Sequence, residues 1–384
     1  MTQLAAPALA LAPLLLLASG CYGLLPGLGY GIFGMTLALL LASAPFRAAP
    51  ARYVPGPMAA GALLFNAIFL LSGVWHNLDA RDYLLHLFSL PMFVLAYATL
   101  RLHLISMPPH AQADRAPPLV QLVGLVGLSL LLAGQLAQSA GWLWFVKPPV
   151  EGFQASLIFR PGGFQNANMT AALALMFLWL FRLHDALRIG RAGAAALALA
   201  TVVIALTQSR AALLALTLYA IWVFRRHPGK ILLSIGVLFL AIWSSGLLEE
   251  GAVLLELLQR FGDRFSGDDS SDERAWLLRA ALAAIRESPL LGHGYGYLAG
   301  RFGFGASHNQ VIELLVGFGA IGGLALALCG ALMVLPARAL FLLVCVAPTL
   351  MFSHNYFESA AFQTALGLAL AAERFQRSPV GVAT

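Results

Sequence analysis

Apolar runs of membrane-crossing length recur along almost the whole chain, separated by short charged or Gly- and Pro-containing breaks. A helix that spans a bilayer needs about 20 predominantly apolar residues. Runs of that kind fall at 3–20, 28–45, 56–75, 83–102, 118–138, 167–182, 193–208, 211–224, 231–248, 308–334, 339–353 and 356–373. The sequence therefore predicts an all-α polytopic membrane protein, a single integral membrane domain over 1–384 with about 12 transmembrane helices. Only 10% of residues are charged, 60% are hydrophobic, and the mean hydropathy is +0.82. Soluble domains carry about 25% charged residues, so a soluble enzyme is excluded, as are a disordered chain, a collagen-like fibre and a disulfide scaffold. Cys21, Cys329 and Cys345 lie in or beside apolar runs without paired spacing, which indicates neither a disulfide framework nor a metal site. The first 20 residues are apolar but lack a basic leader, so they are expected to be the first span.

The net charge of +6 is an orientation signal and not a nucleic-acid footprint. With the N-terminus inside, the inner loops collect Arg47, Arg52, Arg101, Arg115, Arg182, Arg188, Arg191, Arg225, Arg226, Lys230, Arg338, Arg374 and Arg377. The short outer loops hold Arg81, Lys147, Arg160 and Arg210. Both termini are predicted to be cytoplasmic. Two outer segments stand out. One, about 139–166, is aromatic-rich and suited to the headgroup layer. The other, 249–307, is the long hydrophilic loop, holding nine of the 17 acids and six of the 23 basic residues. In it, Ser270-Ser271-Asp272-Glu273 opens a helix expected to run to about Glu287, where Pro289 stops it. A Gly-rich stretch then leads back to the membrane.

Ionisable groups at membrane depth are costly and mark function by default. Arg210, in Thr207-Gln208-Ser209-Arg210, sits between two apolar runs at the outer face. It is either an interfacial arginine snorkelling to headgroups or a cation lining a site for an anionic ligand. Arg160 and Arg274 are on the same side. Three guanidinium forks converging there would suit a diphosphate. His308 opens the tenth run; a neutral imidazole at that place is either a helix-end residue or a group that orients or deprotonates an incoming hydroxyl. Gly294-Tyr295-Gly296 does not follow a strand, so a dinucleotide fingerprint is rejected, and no P-loop is present. The acidic run 268–272 is expected to be a solvated helix-capping cluster, and no metal site is predicted.

His308, Asn309, Gly319 and Gly322 match the pattern H-[NSQ]-x9-G-x2-[GTY], and the chain thereby resembles the bacterial O-antigen ligases. TQSRAALLAL at 207–216, DERAWLLRAALAAIRESPLLGHGYG at 272–296 and FQNANMTAA at 164–172, which contains Asn166 and Asn168, resemble the domain shared across the O-antigen ligase and polymerase superfamily. The likeness covers about residues 160–325. It implies a GT-C-like glycosyltransferase of the bacterial inner membrane, working at the periplasmic face under the long loop. The implied donor is a glycan on undecaprenyl diphosphate and the implied acceptor a sugar hydroxyl of lipid A-core, with no cofactor, no metal and no nucleic acid. His308 and Arg210 would be catalytic, Arg160, Arg210 and Arg274 would hold the diphosphate, and Asn166, Asn168, Asn309, Gly319 and Gly322 would support them. The Gly-rich return would act as the hinge of the loop. Single displacement at the anomeric carbon would invert its configuration. An O-antigen or exopolysaccharide polymerase and a protein O-oligosaccharyltransferase share the same motifs; the chain lacks the large C-terminal domain of many of the latter. Outside this class, a secondary transporter or flippase would place charges at the midplane in both halves, whereas here they cluster at one face.

Overall fold

The computed structural model describes residues 11–21, 27–76, 89–140, 142, 161–183, 189–207, 209–224, 269–302, 309–335, 349 and 359–376. Regular structure among them is entirely helical. Residues 11–18 form a helix, followed by α1 (Leu28–Ala42), α2 (Gly56–His76), α3 (Ser89–Ser106), α4 (Pro109–Ser139), α5 (Ala167–Trp179), α6 (Arg191–Thr207), α7 (Arg210–Phe224), α8 (Asp269–Glu287), α9 (Tyr297–Phe302), α10 (Gln310–Val334) and α11 (Ala360–Gln376). Two short turns, Ala44–Ala48 and Pro50–Tyr53, link α1 to α2. The expected runs at 231–248 and 339–353 lie outside the described residues.

α5 is the axis of the packing. Its sequence ANMTAALALMFLW carries no charge, and every residue from Met169 to Trp179 is buried. A helix apolar on all sides needs neighbours on all sides, and α4, α6, α7 and α11 supply them. α6 meets it through one stripe of mostly small residues, Gly193, Ala196, Ala200, Val203, Ile204 and Thr207. Between membrane helices, small side chains let backbones approach closely. The same device joins α2 to α10, where a Cβ on Gly61 would lie 2.7 Å from the Cys329 carbonyl oxygen. It also joins α11 to α3, where a Cβ on Gly367 would strike the Phe93 carbonyl oxygen.

The outer surface is apolar as well: Leu63, Leu64, Leu71, Val74, Leu214, Ile221, Ile321 and Leu324 are all exposed. Exposed apolar surface on this scale is what lipid covers. Two helical segments, Ala116–Ser139 and Gln310–Val334, are long and apolar enough to cross a bilayer, and six shorter apolar helices accompany them. This is the architecture of an all-helical membrane protein.

Helix direction follows from the contacts. Trp179 and Arg182, at the end of α5, meet buried Glu373 of α11: the indole Nε1 donates to Glu373 Oε2 at 3.1 Å and Arg182 Nε lies 3.8 Å away. The end of α11 therefore lies beside the end of α5. The starts of α5, α7 and α10 lie together at the opposite end of the bundle.

Several helix boundaries differ from the hydropathy pattern, three of them by four residues or more. α3 runs to Ser106 instead of 102, and α11 begins at Ala360 instead of 356. α4 begins at Pro109, nine residues before the apolar run, and carries Pro117 and Pro118 inside it. Pro109 at the first turn costs nothing, because its missing N–H would be unpaired there anyway. The interior prolines free carbonyls in the polar first turns of the helix, before its continuous apolar segment.

Candidate functional site

The segment 161–166, which leads into α5, is held by side chains from the last turns of α4 and the first turn of α5. Gln135 and Gln138 are both buried and sit three residues apart on one face of α4. Gln135 Nε2 donates to the Pro161 carbonyl and to the Val203 carbonyl of α6, each at 3.0 Å. Gln138 Oε1 accepts from the Gly163 N–H at 2.6 Å. The Thr170 hydroxyl donates to the Gly162 carbonyl. Asn166 caps α5 by accepting from the Met169 N–H at 2.9 Å.

One glutamine thus ties the residue after Arg160 to the last turn of α6. In Gln135→Leu both carbonyls lose their buried donor, at about 1–3 kcal/mol for each group left unmade in water-soluble proteins and less in membrane bundles. We expect a lower thermal midpoint for the detergent-solubilised protein. An unchanged midpoint would mean that Gln135 does not tie these segments.

From Val203 the chain reaches the turn at 207–210, seated on buried side chains. Thr207 Oγ1 donates to the Ile204 carbonyl at 2.6 Å and accepts from the Ser209 N–H at 3.3 Å, and both residues are buried. Ser209 takes the cap position: its carbonyl accepts the first bond of α7, from Leu213 N at 2.9 Å. Arg210 is then the first residue of α7. The unpaired N–H groups of a first turn and the helix dipole make that end positive. A third helix start lies at this end of the bundle. Asn309 caps α10, its Oδ1 accepting from Val311 N at 2.9 Å and Ile312 N at 3.2 Å.

α10 carries the most unusual backbone of the site. Gly319 has φ 62° and ψ −171° in the middle of the helix. That region is open essentially to glycine alone. A regular helix would bond Ala320 N to Val316 O and Ile321 N to Gly317 O; here both bonds are replaced. The carbonyls of Val316 and Gly317 accept from His293 N at 2.8 Å and Gly294 N at 2.9 Å, while Ala320 N and Ile321 N donate to the Pro289 and Leu290 carbonyls at 2.8 and 3.2 Å. The segment 289–294 thereby satisfies these four groups, and backbone at membrane depth requires such partners. The approach leaves no room for side chains. A Cβ on Gly292 would lie 2.5 Å from the Gly317 carbonyl oxygen, and one on Gly319 would strike Leu290.

α8 reaches this junction through Ala281 and Ala284, packed with Leu298 and Val316. Tyr295, Phe69 of α2 and Phe318 of α10 form an aromatic trio with centroids 4.9 to 6.1 Å apart. The first part of the Gly-rich return is therefore docked on α10 and is not a free hinge. Its remainder, 303–308, lies outside the described residues.

The residues expected to act fall into three groups. Asn166, Asn309 and Gly319 have the structural roles just given. Asn168 lies in the first turn of α5, and Gly322 lies one turn after the break, where a Cβ would meet that of Phe318 at 2.6 Å. Arg210 and Arg274 are placed by their backbones, at the start of α7 and in the second turn of α8. Arg160 and His308 lie outside the described residues, although their neighbours Pro161 and Asn309 are at the same end of the bundle. Sequence reasoning missed Gln135, Gln138, Thr170 and Glu313. Glu313 is a buried acid in the first turn of α10, whose N–H bonds the Asn309 carbonyl at 3.0 Å. The signal for all four was available: a polar or acidic residue inside an apolar run must find partners within the protein. Among the described residues, no cluster of His, Cys, Asp or Glu could hold a metal ion.

Fold and surface define an all-helical membrane protein in which α5, α7 and α10 begin at one end of the bundle. Residues 195–327, about a third of the chain from α6 to α10, match a family model described as O-antigen ligase. That segment carries a domain of the O-antigen ligase and polymerase superfamily. No curated protein matches the chain.

Proposed function

We propose that the protein is an O-antigen ligase, transferring a glycan from undecaprenyl diphosphate to a sugar hydroxyl of lipid A-core at the periplasmic face of the bacterial inner membrane. The observation that carries this reading is that Gln135 ties Pro161, the residue after Arg160, to Val203 of α6, near the end of the helix that precedes Arg210. Helix starts there add positive potential, and an anion placed at them is stabilised.

In this reading Arg160, Arg210 and Arg274 hold the donor diphosphate and take up the charge that develops as it leaves. Preorganised stabilisation of that kind is commonly the largest catalytic contribution. The acceptor oxygen attacks the anomeric carbon, the bond from that carbon to the diphosphate oxygen breaks, and configuration inverts. His308 positions the acceptor hydroxyl and takes its proton. Diphosphate is already a good leaving group, so neither a strong general acid nor a metal is needed. One long outer loop late in the sequence, at 249–307, favours ligase over polymerase, for which two comparable loops would be expected.

The test separates binding from chemistry. His308→Ala in the purified protein is expected to retain lipid-linked donor while transfer falls by about 10²- to 10⁴-fold, the range for a positioned acid–base group. Wild-type turnover in His308→Ala would remove it from the mechanism. Wild-type activity is expected to survive a chelator, and a strict magnesium requirement would contradict the metal-free step.

A further inference from the structure

The end of the bundle opposite the candidate site holds a group of cations that no carboxylate among the described residues neutralises. Arg101 lies on α3 one turn after Tyr97, Arg374 is in the last turn of α11, and Arg52 is in the short turn Pro50–Tyr53, which packs on α3. Arg374 and Arg52 are near enough for their charges to act on Arg101, and Tyr97 lies beside both Arg101 and Arg374. Glu373, the neighbour of Arg374, is engaged with Trp179 and Arg182 on another side of α11.

Arg101 is only 8% exposed. Among the described residues, its Nε, the Nη1 of Arg374 and the hydroxyl of Tyr97 are buried with no hydrogen bond of ordinary geometry, although Tyr97 and Arg374 are close enough to interact. Partly burying a guanidinium with no counter-charge among the described residues is unfavourable, and further cations beside it add repulsion. A cluster like this is stabilised by whatever brings negative charge and acceptor oxygens to it. Snorkelling of the guanidinium tip leaves the Arg101 Nε, which is buried, without an acceptor.

The geometry points to a phosphate-binding site formed by Arg101, Arg374, Arg52 and Tyr97, at the end of the bundle away from the glycan chemistry. Guanidinium forks bind phosphate oxygens in pairs, and the Tyr97 hydroxyl supplies a further donor. Exposed Arg52 is the outer wall, so the site opens at the rim of the bundle. Basic pockets between transmembrane helices at the water interface take acidic phospholipid headgroups. The phosphate of such a headgroup and free phosphate offer the same oxygens. Either would bridge α3, α11 and the turn before α2.

The experiment uses the full-length protein, purified and stripped of lipid in neutral detergent. Its thermal midpoint is measured against inorganic phosphate, with chloride at matched ionic strength, and in nanodiscs of phosphatidylglycerol or phosphatidylcholine. The wild type is expected to show a saturable rise. A rise with phosphatidylglycerol alone identifies a lipid headgroup, and a rise already complete with inorganic phosphate identifies the free ion.

Arg52→Gln, at an exposed position, is expected to fold as the wild type does and to weaken the response about tenfold, the loss of one charge-assisted contact. Arg101→Gln is expected to abolish the response while removing the unfavourable buried charge. If Arg101→Gln does not fold, Arg52→Gln carries the test. No saturable response to either probe in the wild type, or an equal response in Arg52→Gln, would overturn the proposal.

Discussion

Arg210→Ala is expected to cut glycan transfer about 10²- to 10³-fold, the loss that follows removal of one preorganised charge-stabilising donor. The argument rests on where α7 begins. Thr207 and Ser209 are buried and bonded to each other and to the ends of their helices, so both are held in place. Arg210 is the first helical residue after it, at the end of the bundle where Asn166 and Asn309 also cap helices. A cation there has its charge reinforced by the helix dipole, and under the proposed reading an incoming diphosphate would meet both. Arg210→Lys keeps the charge and loses the planar fork, so partial activity at best is expected. Turnover of purified Arg210→Ala on lipid-linked donor is the check. Wild-type turnover would leave Arg210 as an anchor at the membrane surface.

Gly319→Ala is expected to be among the most destabilising single substitutions in the chain, at about 3 kcal/mol or more. Two independent costs coincide. The backbone at φ 62°, ψ −171° excludes an L side chain, and the new Cβ would strike Leu290. Relief would require α10 to straighten, which would strip Pro289, Leu290, His293 and Gly294 of their four partners on α10. The loop helix α8 would then lose its seat on Val316. Gly330→Ala is the control on the same helix, since a Cβ there meets nothing within 4 Å. The thermal midpoint of Gly319→Ala should fall well below that of Gly330→Ala. Equal midpoints would mean that α10 tolerates a regular backbone at Gly319.

Local signals were legible in the sequence. The helix ending at Glu287 before Pro289, the brief turn between α6 and α7 and the Asn-rich entry to α5 all follow from caps, breakers and hydropathy in adjacent residues. Contacts between distant segments were not. Gly319 is visible as a motif glycine, but the Leu290 backbone that requires it lies 29 residues away in the chain. Gln135 looks like a polar blemish in an apolar run until Pro161 and Val203 are seen on either side of its amide. The early start of α4 escaped for the opposite reason: two interior prolines argue locally against a helix that Pro109 nonetheless opens. The cations at the far end were legible only as orientation signals, because burial of Arg101 is a property of the assembled bundle.

The proposed activity is tested most directly by the lipopolysaccharide ladder of a strain lacking this protein, complemented with the wild type or with His308→Ala. The ligase reading predicts bare lipid A-core in the deletion and in the His308→Ala strain, with full-length polymer left on its lipid carrier, and a restored ladder with the wild type. Core bearing a single repeat unit in the deletion, or an unchanged ladder, would contradict it.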